Sequence, residues 1–127
     1  MLKKGDTVKT ILIVDDQPML RHLMDVALRG DGRRFLHAGS GEEAVEIATT
    51  ERPDLVLLDI MMPGGMDGLE VTRQLKNDPR TAGCAIVAVT AKVQQTDQEK
   101  ARDAGVDGYL TKPFSLAELR EKVAPFV

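Results

Sequence analysis

Acidic, hydroxyl and basic residues stand directly after several short apolar runs of this chain, and their types point to metal and phosphate chemistry. They are Asp15 and Asp16 after the first run, Asp59 after the third, Thr90 after the fourth, and Thr111 and Lys112 after the fifth. Three carboxylates gathered at close range stay ionised together only when a cation offsets their repulsion. Because the ligands in this set are hard oxygens, without histidine or cysteine, they favour Mg²⁺ or Mn²⁺ over zinc.

A magnesium site of this kind is completed by a phosphoryl group. Mg²⁺ usually takes about one or two carboxylates, keeps several waters and shares a phosphate oxygen. Lys112 can contact that phosphoryl group as a point charge, and Thr90 can donate a hydrogen bond to it. Asp59 remains as the carboxylate that is free to attack phosphorus. Asp59, Thr90 and Lys112 are therefore the predicted catalytic residues.

The apolar runs that precede these residues predict five strands, at residues 11–14, 35–38, 55–58, 85–89 and 109–110. Continuous hydrophobicity is typical of strands covered on both faces, as in a parallel sheet between helix layers. Helical patterns alternate with the runs, and parallel strands require right-handed crossovers. The sequence predicts an α/β fold with a doubly wound, five-stranded parallel sheet of order 2-1-3-4-5 and five helices in two layers. Since strands one and three are then neighbours, their carboxylates are expected in one crevice at the carboxyl edge.

The helices are predicted from apolar residues spaced three and four apart. The first has Pro18 in its first turn and Asp16 as a candidate N-cap. The predicted buried stripes are Leu20, Leu23, Met24 and Ala27 in the first helix, Ala44, Ile47 and Ala48 in the second, Leu69, Thr72 and Leu75 in the third, and Leu116, Leu119 and Val123 in the fifth. The fourth helix, Gln95–Ala104, is predicted to be the least firmly packed, since it offers little apolar surface beyond Val93 and two alanines.

Length, charge and composition restrict the class of protein. The chain has 127 residues, 17 basic and 20 acidic side chains, and a net charge of −3. Residues 1–127 are expected to form one domain with a core over about 10–126. Without a run of Lys or Arg there is no basic stripe for a phosphate backbone, so direct nucleic-acid binding is disfavoured. No apolar run approaches the roughly 20 residues that span a bilayer, which predicts a soluble, cytoplasmic protein without membrane contact.

Several short motifs resemble the receiver domain of bacterial two-component response regulators, which has the flavodoxin-like fold of the chemotaxis proteins. They are Asp15-Asp16, Asp59 followed by Met62-Pro63 and then Asp67-Gly68, Thr90-Ala91, and Lys112-Pro113-Phe114. The resemblance implies that Asp59 accepts a phosphoryl group from a phosphohistidine on a sensor histidine kinase or a histidine phosphotransfer protein. It further implies a switch that acts on a downstream effector protein or domain, and no enzymatic activity beyond the chain's own phosphorylation and dephosphorylation.

The resemblance also implies roles for individual residues. It implies that the metal ligands are Asp15, Asp16, Asp59 and the Met61 backbone carbonyl. Thr90 and Lys112 are implied to contact the phosphoryl oxygens, and Thr90 and Tyr109 to form the switch pair. The peptide bond Lys112-Pro113 is implied to be cis. The surface expected to change on phosphorylation consists of helix four, strand five and helix five, because the switch pair lies beneath it.

The loop after Asp59 departs from the family pattern. The family commonly has Met-Pro, a single residue and then Met-Asp-Gly, whereas this chain has one more glycine, in Met62-Pro63-Gly64-Gly65-Met66-Asp67-Gly68. Because glycine adds backbone freedom, this loop is predicted to be longer and more flexible than is usual.

The residues alone leave two other functions open. A small Mg²⁺-dependent phosphohydrolase would share the aspartyl phosphate, but neither Asp15-Asp16-Gln17 nor Asp59-Ile60-Met61 has the Asp-x-Asp pattern of that class. A flavin or dinucleotide carrier would need a Gly-rich or Ser/Thr-rich phosphate loop after strand one, where two aspartates instead repel phosphate.

Four residues have interpretations that need no functional role. His22 and His37 are interpreted as structural, since neither follows a predicted strand, and Cys84 as a small buried hydrophobe. Tyr109 fits a core position as well as it fits a switch.

Overall fold

The computed structural model describes residues 8–30, 32–62, 64–91 and 95–127, with side chains of the last range described from residue 98 onward. Five strands alternate with five helices in the order β1(Lys9–Val14), α1(Pro18–Leu28), β2(Arg33–Ala38), α2(Gly41–Glu51), β3(Leu55–Asp59), α3(Gly68–Asn77), β4(Ala85–Thr90), α4(Gln95–Ala104), β5(Gly108–Thr111) and α5(Leu116–Val123). The strands form one parallel sheet of order β2-β1-β3-β4-β5. The predicted fold class is confirmed.

The sheet has a core on each face because successive side chains of a strand point to opposite sides. On β1, Ile11 and Ile13 join a cluster with α1 and α5, while Leu12 and Val14 join a cluster with α2 and α3. This explains the continuous apolar runs, since the central strands are covered on both faces.

The helix starts are fixed by local hydrogen bonds. The Ser40 side chain caps α2, Asp67 caps α3, and Ser115 forms a capping box with Glu118 at α5. The expectation that Asp16 caps α1 is wrong: the N-cap is Gln17, which makes no side-chain cap bond, with Pro18 in the first turn. Asp16 lies one residue too early, so its carboxylate is available at the sheet edge.

The predicted stripes of the first and fifth helices need correction. Leu23 is 49% exposed and Leu116 is 39% exposed, although both were expected to be buried. In α1 the inward face consists of Met24, Ala27 and Leu28, and Leu23 lies at the edge of this face, about 100° around the helix from Met24.

The fourth helix has the predicted bounds, Gln95–Ala104. Among its described side chains, Ala101 and Ala104 are buried while the intervening charged residues are exposed. Val93, the third predicted anchor, lies outside the described residues. Within the described ranges, no helix is both long enough and apolar enough to cross a membrane.

Candidate functional site

The polar residues that follow the strands meet at the carboxyl edge of the sheet. Asp15 follows β1, and Asp59 and Thr90 are the last residues of β3 and β4. All three side chains are buried, with exposures of 1%, 5% and 2%, whereas Asp16 is exposed. The parallel pairing of β1 with β3, and of β3 with β4, brings residues from distant parts of the chain to one crevice.

Three carboxylates converge in this crevice. One oxygen from each of Asp15, Asp16 and Asp59 lies within 4.8 Å of the other two. Hard oxygen ligands at this spacing fit Mg²⁺, which would share its remaining coordination positions with water and a phosphate oxygen. The donor set therefore suits the predicted cation.

Lys112 supplies positive charge to the same crevice. Its Nζ lies 3.2 Å from Oδ2 of Asp15 and 3.7 Å from Oδ2 of Asp59. Its backbone N–H donates to the Thr90 carbonyl oxygen at 2.6 Å, which holds the end of β5 against β4. The Lys112-Pro113 peptide bond is cis.

One carboxylate oxygen of Asp59 accepts a hydrogen bond, and the surroundings of Asp59 disfavour its ionised form. The Met61 backbone N–H donates to Oδ1 at 3.0 Å. Burial raises the pKa of the Asp59 carboxyl, and nearby Asp15 and Asp16 raise it further; the Met61 hydrogen bond and Lys112 act against this rise without cancelling it. A cation added beside Asp59 therefore stabilises its ionised carboxylate.

Arg21 belongs to this site although no sequence motif indicates it. It lies one helical turn after Gln17 on α1, and its Nη1 donates to the Asp15 carbonyl oxygen at 2.6 Å. The Gln17 backbone N–H donates to Oδ1 of Asp15 at 2.9 Å. These bonds fix both the backbone and the side chain of Asp15, and their only signal in the sequence is a basic residue on the first turn of a helix.

Gly68 is a second residue whose role comes from packing. A Cβ at this position would lie 2.6 Å from both the Asp59 carbonyl oxygen and the Ile60 Cα. The Gly68 N–H donates to the Ile60 carbonyl oxygen at 3.1 Å. Only glycine lets α3 begin this close to the end of β3, so the Asp67-Gly68 motif serves the geometry of Asp59.

A cavity lies beside Thr90 and Tyr109. Its volume is about 270 Å³, and its walls include Met61, Thr90, Ala101 and Tyr109. Tyr109 is half-buried, and Met61 is 65% exposed at the mouth of the crevice. The two residues expected to act as a switch therefore border one space beneath α4.

The remaining candidates lie away from the crevice or serve the core. His37 contacts Asp25 at 2.7 Å between Nε2 and Oδ2, and His22 is exposed on α1. Cys84 is buried in the cluster formed with α2 and α3. None of the three is among the metal-ligand group found in the described part of the chain.

Comparison with known proteins assigns the family. The family model of the response regulator receiver domain matches residues 11–124, and the chain belongs to this family. Protein PilH of Pseudomonas aeruginosa is 42% identical over 103 residues, which are 81% of this chain and 84% of PilH. A CheY-like receiver domain protein from Methanospirillum hungatei superposes with a TM-score of 0.85 at 27% identity, covering 94% of this chain and 93% of that one.

A longer relative matches over its receiver part. The phosphate regulon transcriptional regulatory protein PhoB of Pseudomonas aeruginosa is 41% identical over 111 residues, which are 87% of this chain and 48% of PhoB. The chain spans about half the length of several relatives it matches.

Proposed function

We propose that this chain is a phosphorylation-switched receiver in a two-component phosphorelay. Asp59 accepts a phosphoryl group from a phosphohistidine of a sensor histidine kinase or histidine phosphotransfer protein, with Mg²⁺ as cofactor. Membership of the receiver family supports this role. The observation that carries it is the position of Asp59, whose carboxylate shares a 4.8 Å cluster with Asp15 and Asp16 and lies 3.7 Å from Lys112 Nζ.

The residues around Asp59 suit phosphoryl transfer. A carboxylate oxygen of Asp59 attacks phosphorus, the O–P bond forms as the P–N bond breaks, and the imidazole nitrogen leaves with the electron pair. Lys112 stabilises the negative charge on the phosphoryl oxygens, and the Met61 N–H orients the carboxylate. Mg²⁺, bound by Asp15, Asp16, Asp59 and the Met61 carbonyl, would supply further positive charge to those oxygens.

The switch works through Thr90 and Tyr109. The phosphoryl group adds about −1.5 to −2 charge beside the buried Thr90, whose hydroxyl then donates to it. As Thr90 moves inward, Tyr109 occupies the cavity of about 270 Å³ beneath α4. The face formed by α4, β5 and α5 changes shape as a result, and its affinity for a downstream effector protein or domain changes with it.

The surroundings of the crevice suit a protein donor. Met19, Leu23 and Val26 follow one another at helical spacing on α1 and are 86%, 49% and 47% exposed. An exposed apolar strip on α1, the helix that follows Asp15 and Asp16, is typical of a contact surface, and we propose that the protein donor binds there. We place the chain in the cytoplasm as a single receiver domain over residues 1–127, which acts as a phosphoacceptor and not as a turnover enzyme.

Labelling with a phosphohistidine donor tests the acceptor. The wild-type chain should take up about one phosphoryl group per molecule with Mg²⁺, Asp59→Asn should take up none, and Asp16→Ala should need more Mg²⁺ for the same rate. Labelled Asp59→Asn protein would refute the assignment of the acceptor. Multiple turnover of p-nitrophenyl phosphate would instead favour the phosphohydrolase.

Amide chemical shifts test the switch. Beryllofluoride with Mg²⁺, a mimic of the phosphoryl group, should shift the amide resonances of α4, β5 and α5. Lys112→Ala should still be labelled but should lose these shifts, because the ammonium group links the phosphoryl oxygens to the end of β5. Unchanged spectra in the wild-type protein would refute the switch.

A further inference from the structure

The glycine-lengthened loop after Asp59 is anchored by a residue of the neighbouring helix α2. At the start of this loop the Met61 backbone N–H donates to Oδ1 of Asp59. Met66 lies near the other end of the loop. The Met66 backbone N–H donates to Oε1 of Glu42, in the first turn of α2, at 2.9 Å. A loop with additional backbone freedom is thus tied to a carboxylate 24 residues earlier in the chain.

The contact between α2 and the loop is close at two further points. A Cβ at Gly65 would lie 2.5 Å from Oε1 of Glu42, and a Cβ at Gly41 would overlap the Met66 carbonyl oxygen. Gly64 and Gly65 have φ values of 74° and 54°, in the left-handed region that glycine adopts without strain. The two glycines therefore let the chain turn onto the Glu42 carboxylate.

We propose that Glu42 is a positioning residue for the Asp59 site, whose carboxylate holds the lengthened loop so that Met61 stays in place and Mg²⁺ affinity is maintained. This inference rests on the proposed function, in which the Met61 carbonyl is a ligand of the cation. The additional glycine creates the need for the anchor, because the freedom it adds would otherwise be lost when the cation binds. Glu42 acts through the loop and touches no reacting atom.

Substitutions at Glu42 separate an anchor from a simple charge effect. Loss of one hydrogen bond of ordinary strength corresponds to roughly a fivefold change in an equilibrium constant, so Glu42→Ala should weaken Mg²⁺ binding by about that factor. Glu42→Gln should retain most of the affinity, since its amide oxygen can accept from the Met66 N–H. Glu46→Ala is the control, because Glu46 is exposed on the same helix. If Glu42→Gln weakens binding as much as Glu42→Ala, the effect is one of charge and the anchor is refuted.

The two glycines give a matched pair that tests the contact from the loop side. Both have positive φ, so alanine introduces similar backbone strain at each. A Cβ at Gly64 meets no atom within 4 Å, whereas a Cβ at Gly65 meets Glu42. Gly65→Ala should therefore weaken Mg²⁺ binding more than Gly64→Ala does, and equal effects would overturn the proposal.

Two measurements that need no phosphorylation keep this inference separate from the proposed function. The Mg²⁺ dissociation constant is obtained by titration of amide chemical shifts, and the Met66 amide exchange rate is obtained from the same spectra. Glu42→Ala should raise the exchange rate at Met66 in the metal-free protein. Wild-type exchange and wild-type Mg²⁺ affinity in Glu42→Ala would refute the anchor even if Asp59 is labelled normally. An unlabelled Asp59 with the expected Glu42 effects would refute the acceptor role alone.

Discussion

Replacing Lys112 with methionine removes the cation that faces the buried carboxylates and keeps an apolar side chain. Its Nζ lies 3.2 Å from Oδ2 of Asp15 and 3.7 Å from Oδ2 of Asp59. At an effective dielectric constant of about 20 these separations correspond to attractions of about 5 and about 4.5 kcal/mol, before the desolvation of the ammonium group is subtracted. Breaking a buried ion pair costs roughly 3–5 kcal/mol, and Lys112 keeps 22% exposure, so we expect a loss of about 2–3 kcal/mol in the free energy of unfolding.

The size of this loss should depend on pH and on Mg²⁺. Burial already raises the pKa of Asp59, and loss of the ammonium group, which acts against this rise, should raise it further above the value in the unfolded chain. The stability difference between wild type and Lys112→Met should therefore shrink as the pH falls from about 7 to about 5. Mg²⁺ should also reduce it, because the divalent cation replaces the missing charge. Urea unfolding followed by circular dichroism, at both pH values with and without Mg²⁺, measures the difference.

Lys122→Met is the matched control, since Lys122 is an exposed lysine on α5. It should change the free energy of unfolding by no more than about 0.5 kcal/mol. A loss in Lys112→Met below about 1 kcal/mol, the range of surface ion pairs, would show that the ammonium group does not stabilise the crevice. A loss that is the same at both pH values would refute the electrostatic reasoning.

Three other substitutions have defined outcomes. Asp59→Asn should stabilise the metal-free protein at neutral pH, because burial raises the pKa of Asp59 and the folded state disfavours its charge. This gain in the free energy of unfolding should disappear in acid, and denaturation midpoints at neutral and acidic pH measure it. Gly68→Ala should cost about 1–3 kcal/mol in urea unfolding, whereas Gly30→Ala, with no atom within 4 Å of the new Cβ, should stay within about 0.5 kcal/mol. Burial of Asp25 acts against its ionisation, but hydrogen bonds from His37 and a neighbouring arginine lower its pKa overall. The ionised Asp25 carboxylate therefore stabilises the folded state above the ordinary carboxyl pKa, and this stabilisation is lost as the pH falls through the lowered pKa of Asp25. The difference in the free energy of unfolding between wild type and Asp25→Asn should therefore narrow in acid titrations.

The crevice shows which site residues the sequence pattern predicts and which it does not. Asp15, Asp59 and Thr90 could be placed from the sequence because each follows an apolar run, and parallel strands end at one edge. The role of Asp16 as a helix cap was wrong, since the helix begins one residue later than a cap at that position requires. The inward face of α1 was also misplaced at Leu23, because equally spaced apolar residues on a helix do not by themselves show which of them meets the sheet.

Residue types and their spacing determined the fold class, the order of the elements and the edge at which the polar side chains gather, because these follow from local periodicity and from the chirality of parallel connections. The tertiary structure decided which groups hold those side chains in place. Arg21 on the Asp15 carbonyl, Gly68 against the end of β3 and Glu42 on the Met66 amide are contacts between separate elements. Such contacts depend on how closely two packed surfaces approach, and no spacing along the chain encodes that distance.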